Sequence, residues 1–547
     1  MPVIVLLVLL WLLAPATALT QNLLIPPYTL LPDTAAHVWY VSVENTLARD
    51  MEWHDRLVQR MQLASPGWQL VCTPLPVLAM NTCEGESISR FDEAHVNVQL
   101  IDAQCRTSGQ YFFATRARTH WRGVTASTLD KKSYALKITD DADADTDTTL
   151  LGLRSDHTWI LDGMAADLSR MRNRLCFDLW NEVCTLRDSD MLANGTHGHY
   201  VELLLNGRYE GIYCLSDKVN RKLLGLKKYK ADDSDGTAPQ PSPYRGHLYK
   251  CSRGGDITSY LALPDDYAES ATTEWYGWDL EYPDDYPSVE AWHPLIDLFK
   301  YTMAEDTAQT LDLERLSQHF QTDNFFEYPL FNFACKMMDN AMHNTYLSFR
   351  NYRKDSIAWI TPWDLDGSFG RDGTSLDNSM YTGSEGLSLG WVRPYRALYD
   401  RRDSTFMAGL AARWDQWRSA TFSVEHVCQH IDSMADILIS SGAWQREVER
   451  WDSLNVMYAG IGPLRLAADL TTETTLMKDW YCRNYDNMDA RFLPYLPQPQ
   501  AIATITADTP DRMTDGLWYD ATGRCVAAPA SDGLYIHDGR YILIRRQ

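Results

Sequence analysis

Residues 338–370 constrain the fold most strongly, because oxygen-bearing side chains flank a predicted β-hairpin on both sides. Segments 345–350 and 358–360 have the composition of short strands, and the polar residues between them favour a turn. Pairing of these strands makes neighbours of the residues before the first strand and those after the second. The hairpin therefore predicts one cluster of acid and amide groups, formed by Asp339, Asn344, Asp364 and Asp366.

This order of residues is the one that protein kinases use to bind a metal–nucleotide complex. In kinases an Asp accepts the proton of the attacking hydroxyl, an Asn five residues later binds a metal ion, and an Asp beyond a hairpin binds the Mg²⁺ that bridges the phosphates. Asp339, Asn344 and Asp364 reproduce that spacing, without a His-Arg pair before Asp339 or a Phe-Gly pair after Asp364. The alternative interpretation is that Asp339 caps a loop and Asp364 caps a turn.

The sequence around Asp364 is Trp-Asp-Leu-Asp, followed by Gly-Ser-Phe-Gly. Together with Asp339 and Asn344, it resembles the spore coat protein H (CotH) kinase family. The resemblance implies an α+β chain with an atypical bilobed protein-kinase-like fold, a β-rich N-lobe and a mostly helical C-lobe. It implies ATP and Mg²⁺ or Mn²⁺ as cofactors, with Asp339 as catalytic base and Asn344, Asp364 and Asp366 as metal ligands. Which of Asp364 and Asp366 is the main ligand stays open.

A second part of the resemblance lies upstream, where a Gly- and hydroxyl-rich loop carrying Arg122 precedes a predicted strand. CotH-like chains have an Arg-Gly-Asn-Ser turn here, followed by Lys-Lys and a strand, whereas this chain has Val124 at the usual Asn position. The resemblance implies that Arg122 and Lys137 bind phosphate, with Lys132 as the alternative lysine. A strand lysine that extends to solvent is the competing interpretation.

Apolar residues at intervals of three and four predict a helix over 162–183, capped by Asp162. Within it, Asp167 starts an Asp-x-Ser-x-x-Arg-Asn sequence that resembles the acid-bearing segment of CotH-like chains. In kinases the corresponding carboxylate pairs with the strand lysine. The sequence does not decide whether Asp167 reaches Lys137.

The dipeptide Asn206-Gly207 between two β-prone segments predicts a tight hairpin, since both turn positions favour positive φ. The second strand leads to Asp217, where CotH-like chains generally carry Glu and where a kinase has its interlobe hinge. The resemblance therefore assigns Asp217 to the nucleotide site. Apolar periodicity predicts further helices at 289–305, 311–320, 325–338, 407–419 and 424–438.

Charge and length limit the class of protein. The chain has 547 residues and a net charge of −23, which argues against nucleic acid as a partner because phosphate binding needs clustered Lys and Arg. The length predicts more than one domain. Eleven cysteines leave at least one thiol unpaired, and the short loop between Cys72 and Cys83 favours that pair as a disulfide.

Both ends of the chain suggest export. An apolar run at 3–13, followed by small residues, predicts a signal peptide at 1–18, although no basic residue precedes the run. No later segment is long and apolar enough to span a bilayer, so we expect a secreted or cell-surface protein. Segment 497–547 is rich in short strands and Gly turns, and resembles the C-terminal sorting tail of type IX-secreted Bacteroidota proteins. A β module without an export role is the alternative.

These features predict four segments: a signal peptide at 1–18, a segment without assigned role at 19–90, a CotH kinase-like domain at 91–496 and a β module at 497–547. The first hypothesis is an exported kinase that phosphorylates Ser or Thr of a protein acceptor. The second is a non-catalytic surface protein, an adhesin or scaffold, that retains the fold. Metal-dependent hydrolysis of a phosphorylated or glycosidic substrate is the third.

Overall fold

The structure is a computed structural model. It describes residues 23–25, 28–124, 126–187, 193–230, 244–252, 274–275, 277–285, 288–303, 313–337, 340, 344–372, 377–379, 393–451, 453–454, 464–496, 503–506, 516–522, 524–537 and 540–545. The predicted signal peptide at 1–18 and the predicted catalytic base Asp339 lie outside the described residues.

The described residues form a mixed α+β structure with eleven α-helices, in agreement with the predicted class. The chain divides into two compact units, of which the first ends at Pro494 and the second begins at Tyr495. Within the described ranges, none of the helices combines the length and the apolar character that a bilayer crossing requires.

The first unit begins with a four-stranded sheet in the order β1-β2-β3-β4, covered by two helices. The longer helix, α2, begins where the Asp50 carboxylate accepts a hydrogen bond from the Trp53 backbone N–H. It buries Leu57 and Met61 against the sheet. The elements are β1 Leu23–Ile25, β2 Tyr28–Asp33, β3 Val38–Ser42, α1 Asn45–Ala48, α2 Met51–Ala64 and β4 Gln69–Thr73.

A closed seven-stranded barrel follows, in the order β10-β11-β9-β8-β7-β6-β5, and a parallel pairing of β10 with β5 closes it. Alternate apolar side chains of these strands fill the interior, so the neighbouring positions face outward. The strands are β5 Val77–Thr82, β6 Ala94–Ile101, β7 Phe112–Arg122, β8 Ser133–Thr139, β9 Thr158–Asp162, β10 Gly198–Leu205 and β11 Arg208–Asp217.

The predicted hairpin around Asn206-Gly207 is confirmed. These two residues connect β10 to β11 and have φ of 51° and 68°. Strand β7, by contrast, includes residues 120–122, where the sequence suggested a loop. Arg122 therefore projects from the end of a barrel strand, which fixes its position more firmly than a loop would.

The helix predicted over 162–183 is wrong in its first ten residues. Asp162 ends β9, and the helix α3 covers Arg172–Thr185. The Asp167 carboxylate accepts hydrogen bonds from the backbone N–H groups of Ser169 and Arg172, at 2.9 and 2.7 Å. The segment is thus a hydrogen-bonded loop, and its regular apolar spacing reflects burial without helical structure.

The rest of the first unit combines helices with a five-stranded sheet in the order β13-β14-β12-β15-β16. The helix predicted at 325–338 covers Thr322–Cys335, because Lys336 at its end has a φ of 52°. The strands are β12 His247–Cys251, β13 Glu274–Trp275, β14 Trp278–Tyr282, β15 Thr345–Phe349, β16 Ala358–Pro362, β17 Ser453–Leu454 and β18 Leu464–Arg465. The helices are α4 Val289–Met303, α5 Leu313–Ser317, α6 Thr322–Cys335, α7 Arg393–Asp400, α8 Ser404–Arg418, α9 Val424–Ser440, α10 Ala443–Arg450 and α11 Thr471–Phe492.

The second unit contains one five-stranded sheet in the order β19-β23-β22-β20-β21. Its core consists of the buried residues Trp518, Tyr535, Ile542 and Ile544. Its strands are β19 Ala503–Thr506, β20 Trp518–Asp520, β21 Cys525–Val526, β22 Gly533–His537 and β23 Arg540–Arg545.

All eleven cysteines lie within the described ranges and none of them forms a disulfide there, so the predicted Cys72–Cys83 disulfide is wrong. Cys72 packs beside the core of the N-terminal sheet, whereas the Cys83 sulfur accepts a hydrogen bond from Asn97. The two thiols therefore belong to different sheets, which their short sequence separation does not reveal.

Helix α10 packs against barrel strand β11 at Gly211. Gly211 has a φ of 97°, and a Cβ there would lie 2.1 Å from the Glu447 carboxylate of α10. A side chain at this position would combine a strained backbone with a close contact to a buried charge. Glycine therefore sets how closely this helix approaches the barrel.

We predict that Gly211→Ala lowers the free energy of unfolding by about 2–4 kcal/mol, because strain and overpacking add. Urea unfolding followed by tryptophan fluorescence measures the change. Gly85→Ala is the matched control, since Gly85 also has positive φ but open space around a Cβ. Equal losses in the two variants would contradict the predicted contact with Glu447.

Candidate active site

The predicted hairpin of residues 345–360 is confirmed and brings Asn344 beside the segment that contains Asp364. Strands β15 and β16 pair antiparallel, with Thr345 opposite Pro362. Just beyond this pair, the Trp363 backbone N–H donates to the Asn344 carbonyl at 3.0 Å. Asn344 and Asp364 have φ of 53° and 57°, so both lie in the left-handed region that Asn and Asp tolerate better than most residues.

A small cavity of about 70 Å³ opens beside Asp364. Arg122, at the end of β7, lines it, and its guanidinium carbon lies 5.2 Å from the centroid of the Trp363 ring. The other polar side chains of the lining come from the outer face of the barrel and from the start of α3. They are Ser133, Asp162, Asn173, Arg174 and Ser216.

A series of hydrogen bonds connects residues 364–369, called here the Asp364 segment, to the barrel. The Leu365 backbone N–H donates to the Asn173 side-chain oxygen at 3.1 Å, and the Asn173 amide donates to Asp162 at 2.9 Å. The other oxygen of Asp162 accepts from the Ser133 hydroxyl at 3.1 Å. The end of β9 and the start of α3 therefore set the position of the backbone that carries Asp364.

Arg172 holds the following residues of the same segment. Its guanidinium donates to the carbonyls of Ser368 and Phe369, at 3.0 and 3.4 Å, and pairs with Glu473 of α11 at 3.1 Å. Its remaining donor binds the Asp167 carboxylate at 2.8 Å. Burial alone would raise the pKa of Asp167, but the Arg172 guanidinium and the backbone N–H donors outweigh it and keep that pKa below its ordinary value.

The Asp167 carboxylate therefore orients the Arg172 side chain and accepts a hydrogen bond from the first backbone N–H of α3. Every contact described for its side chain belongs to residues 169–172. The sequence left open whether Asp167 reaches Lys137, and the hydrogen bonds described for its side chain instead support Arg172 and, through it, the residues after Asp364. The sequence feature that could have predicted this role is the Arg-Asn pair of the Asp-x-Ser-x-x-Arg-Asn sequence, Arg172 and Asn173.

The two candidate lysines lie near the start and the middle of β8. Lys137 lies on the outward face of the strand, as Ser133 does, and pairs with Asp145 at 3.1 Å. Lys132 donates to the carbonyl of Ser127 at 2.9 Å, and its ammonium group lies 4.9 Å from the Trp121 ring. Lys132 thus holds the loop that follows Arg122 in place.

Two further predicted residues lie apart from the cavity lining. Asp217, at the end of β11, is buried, pairs with Arg154 at 3.1 Å and accepts a hydrogen bond from the His197 backbone N–H at 3.1 Å. Asp366 is half-buried, and its carbonyl accepts a hydrogen bond from the Ser368 backbone N–H.

The polar groups at the cavity fit a phosphate and a hard divalent cation. Exposed Asp364 and the nearby Asn344 offer the oxygen ligands that Mg²⁺ prefers, and Arg122 offers a cation for phosphate. The cavity has room for about two water molecules, whereas a ligand of nucleotide size occupies roughly 300 Å³ or more. The cavity lined by the described residues is therefore smaller than a pocket for a whole nucleotide.

We predict that Asn173→Ala weakens Mg·ATP binding by about tenfold, the low end of the usual effect of a lost supporting contact, because the backbone beside Asp364 loses the hydrogen bond that positions it. Isothermal titration calorimetry measures the affinity. Asn181→Ala on the same helix is the control, because Asn181 donates to the Thr196 carbonyl away from the cavity lining. Unchanged affinity in Asn173→Ala would contradict the supporting role of Asn173.

Comparison with known proteins found a match to one protein family. A search of curated proteins found no match. Residues 119–488, about two thirds of the chain, match the family described as CotH kinase protein. That range contains Arg122, the whole of α3 and the hairpin that carries Asn344 and Asp364. The chain therefore belongs to the CotH kinase family.

Proposed function

We propose that the chain is an exported atypical protein kinase that transfers the γ-phosphoryl group of ATP to Ser or Thr of a surface or secreted protein. Membership of the family implies ATP, a divalent metal and a protein acceptor. The observation that carries the proposal is the hairpin, which joins Asn344 to the segment of Asp364 beside a cavity lined by Arg122.

In this proposal each residue has a separate task. Asp364 and Asn344 hold the metal, with Asp366 as a further oxygen ligand, and Arg122 binds the phosphates. Bound Mg²⁺ or Mn²⁺ supplies positive charge that offsets the charge of the transferring group. Asp339 orients the acceptor hydroxyl and takes its proton, a contribution worth roughly 10²–10⁴-fold in rate.

The two lysines, Lys137 and Lys132, have different proposed roles. Lys137 is the proposed phosphate-binding lysine and would exchange its partly exposed Asp145 partner for phosphate, while Lys132 keeps its role in holding the loop. A surface ion pair of this kind contributes about 1 kcal/mol or less to stability, so breaking the Lys137–Asp145 pair costs little free energy. Asp217 supports the hinge position at the end of β11.

A non-catalytic scaffold is the second candidate, and three observations favour it. Asp167 binds Arg172, Lys132 binds loop carbonyls, and Lys137 binds Asp145. The kinase arrangement in which a helix carboxylate pairs with the phosphate-binding lysine is therefore absent among these residues. A protein that keeps the family fold for adhesion would show the same contacts.

We predict that Asp339→Asn leaves Mg·ATP affinity nearly intact while phosphoryl transfer falls by about 10²–10⁴-fold. Asp364→Ala weakens the binding of Mg·ATP itself, because it removes a proposed metal ligand. Transfer from γ-labelled ATP to the protein or a Ser-rich acceptor, beside calorimetric titration of each variant, separates these effects.

The matched control is Asp355→Ala, which removes an exposed carboxylate at the far end of the same hairpin. It should leave both binding and transfer unchanged. Equal ATP binding in the presence of EDTA would refute the metal assignment. A wild-type protein that binds ATP and transfers phosphate to no acceptor would favour the scaffold.

Export is also part of the proposal. It is supported by the predicted signal peptide at 1–18 and by the β module at 497–547. We predict that deletion of 497–547 prevents surface delivery but changes the melting temperature of the rest by only a few degrees, since the second unit has a core of its own. Cell fractionation and calorimetry test the two halves of this prediction. A large fall in melting temperature would show that these strands complete the first unit.

A further inference from the structure

Helices α3 and α9 each present two metal-binding side chains to the space between them. Asp178 and Glu182 are four residues apart on α3, and His426 and His430 are four residues apart on α9. Residues with this spacing lie on one face of a helix. The two faces meet, because the His426 Nε2 atom lies 2.8 Å from a Glu182 carboxylate oxygen.

The ligand atoms already lie close to the arrangement that a metal ion requires. One donor atom each of Glu182, His426 and His430 lies within 4.8 Å of the other two. The His430 Nδ1 atom lies 3.7 Å from the second oxygen of Glu182. Tetrahedral zinc has bonds of about 2.0–2.2 Å, so its ligand atoms lie roughly 3.3–3.6 Å apart. Shifts of about 1 Å would gather these three around one ion.

We propose that Glu182, His426 and His430 bind a transition-metal ion of the Zn²⁺ class, with water in the fourth position. Two imidazoles and one carboxylate form a ligand set that suits zinc and its neighbours better than Mg²⁺. The half-exposed His426 leaves the fourth position open to solvent. The ion would join the α3 helix to α9.

Asp178 supports this assignment through the other nitrogen of His430. The His430 Nε2 atom lies 3.6 Å from Asp178, on the side of the ring away from Nδ1. Asp178 is itself held by the Arg174 guanidinium at 2.8 Å. A ligating His commonly donates its second N–H to a carboxylate, which fixes the ring for the metal. Asp178 is therefore a positioning residue.

A second group of described residues, Asp147, Asp156 and His157, differs from this one in its charge partners. Asp147, Asp156 and His157 also lie within reach of a single ion. There, however, Lys222 pairs with Asp147 and Arg154 pairs with Asp156, so both carboxylates already have cationic partners. Among the described residues, Glu182 pairs with histidines alone.

The three proposed ligands lie outside the lining of the candidate nucleotide cavity, although Arg174 lines that cavity and also pairs with Asp178. Asn173, which supports Asp364, and Glu182 belong to the same helix, and their positions are about 13 Å apart along its axis at 1.5 Å per residue. Loss of nucleotide binding would therefore leave this site intact. The two proposals can fail independently.

The test uses the full chain without an affinity tag, with excess Mg²⁺ to occupy hard oxygen sites. Titration with Co²⁺ should give the visible absorption of a low-coordinate cobalt site at one ion per chain, and Zn²⁺ should displace it. The double variant His426→Ala, His430→Ala should lose this absorption. Asp178→Asn should weaken Zn²⁺ binding by about 10–100-fold, the usual cost of a lost supporting carboxylate.

Two controls isolate the site. His95→Ala removes a histidine that also lies between two carboxylates, Glu86 and Asp143, without a second histidine. It should bind cobalt as the wild type does, and so should Asp364→Ala. Glu182→Gln and His426→Gln preserve side-chain size, and circular dichroism checks that each variant is folded. A wild type without the cobalt absorption, or a folded double variant that keeps it, would overturn the proposal.

Discussion

The contact on which most of the first unit depends is the buried carboxylate of Glu447. It accepts hydrogen bonds from Lys131 at 2.6 Å, from Arg170 at 2.8 Å and from the Ile212 backbone N–H at 2.7 Å. Burial lowers the pKa of Lys131 to about 7 despite the attraction of Glu447, so the enclosure of this positive charge is unfavourable. Removal of one partner from such a cluster typically costs about 3–5 kcal/mol, so helix α10 and the barrel form one interdependent structure.

This cluster connects to the candidate active site through consecutive residues. Arg170, which has a φ of 60°, also donates to the Asp167 carbonyl at 2.7 Å, and the Asp167 side chain orients Arg172. Arg172 then holds the carbonyls of Ser368 and Phe369. A short loop between β9 and α3 thus transmits the packing of α10 to the segment that carries the candidate metal ligand. The loop needs its irregular backbone for this, which explains why a regular helix does not start at residue 162.

The sequence predicted those parts of the structure that depend on local chemistry. Asn206-Gly207 specified its hairpin, and the polar turn between β15 and β16 brought Asn344 to the Asp364 segment. Contacts over long separations could not be predicted, as Lys131 and Glu447 are 316 residues apart and no periodic pattern relates them. Apolar periodicity reports burial, so it could not distinguish the loop before α3 from a helix. The separate motifs of the site could therefore be recognised in the sequence. The hydrogen bonds that support the site could not.

Ion pairs fix the backbone that follows Asp364, which is consistent with its proposed binding role. Glu473 pairs with Arg172 and with Arg371, so the residues after Asp364 are held from two directions. Asp364 itself is exposed in a left-handed backbone conformation, which costs an ordinary residue about 1–2 kcal/mol. Ion pairs of neighbouring residues thus hold the backbone beside Asp364 while its side chain stays exposed, an arrangement that suits the proposed metal ligand.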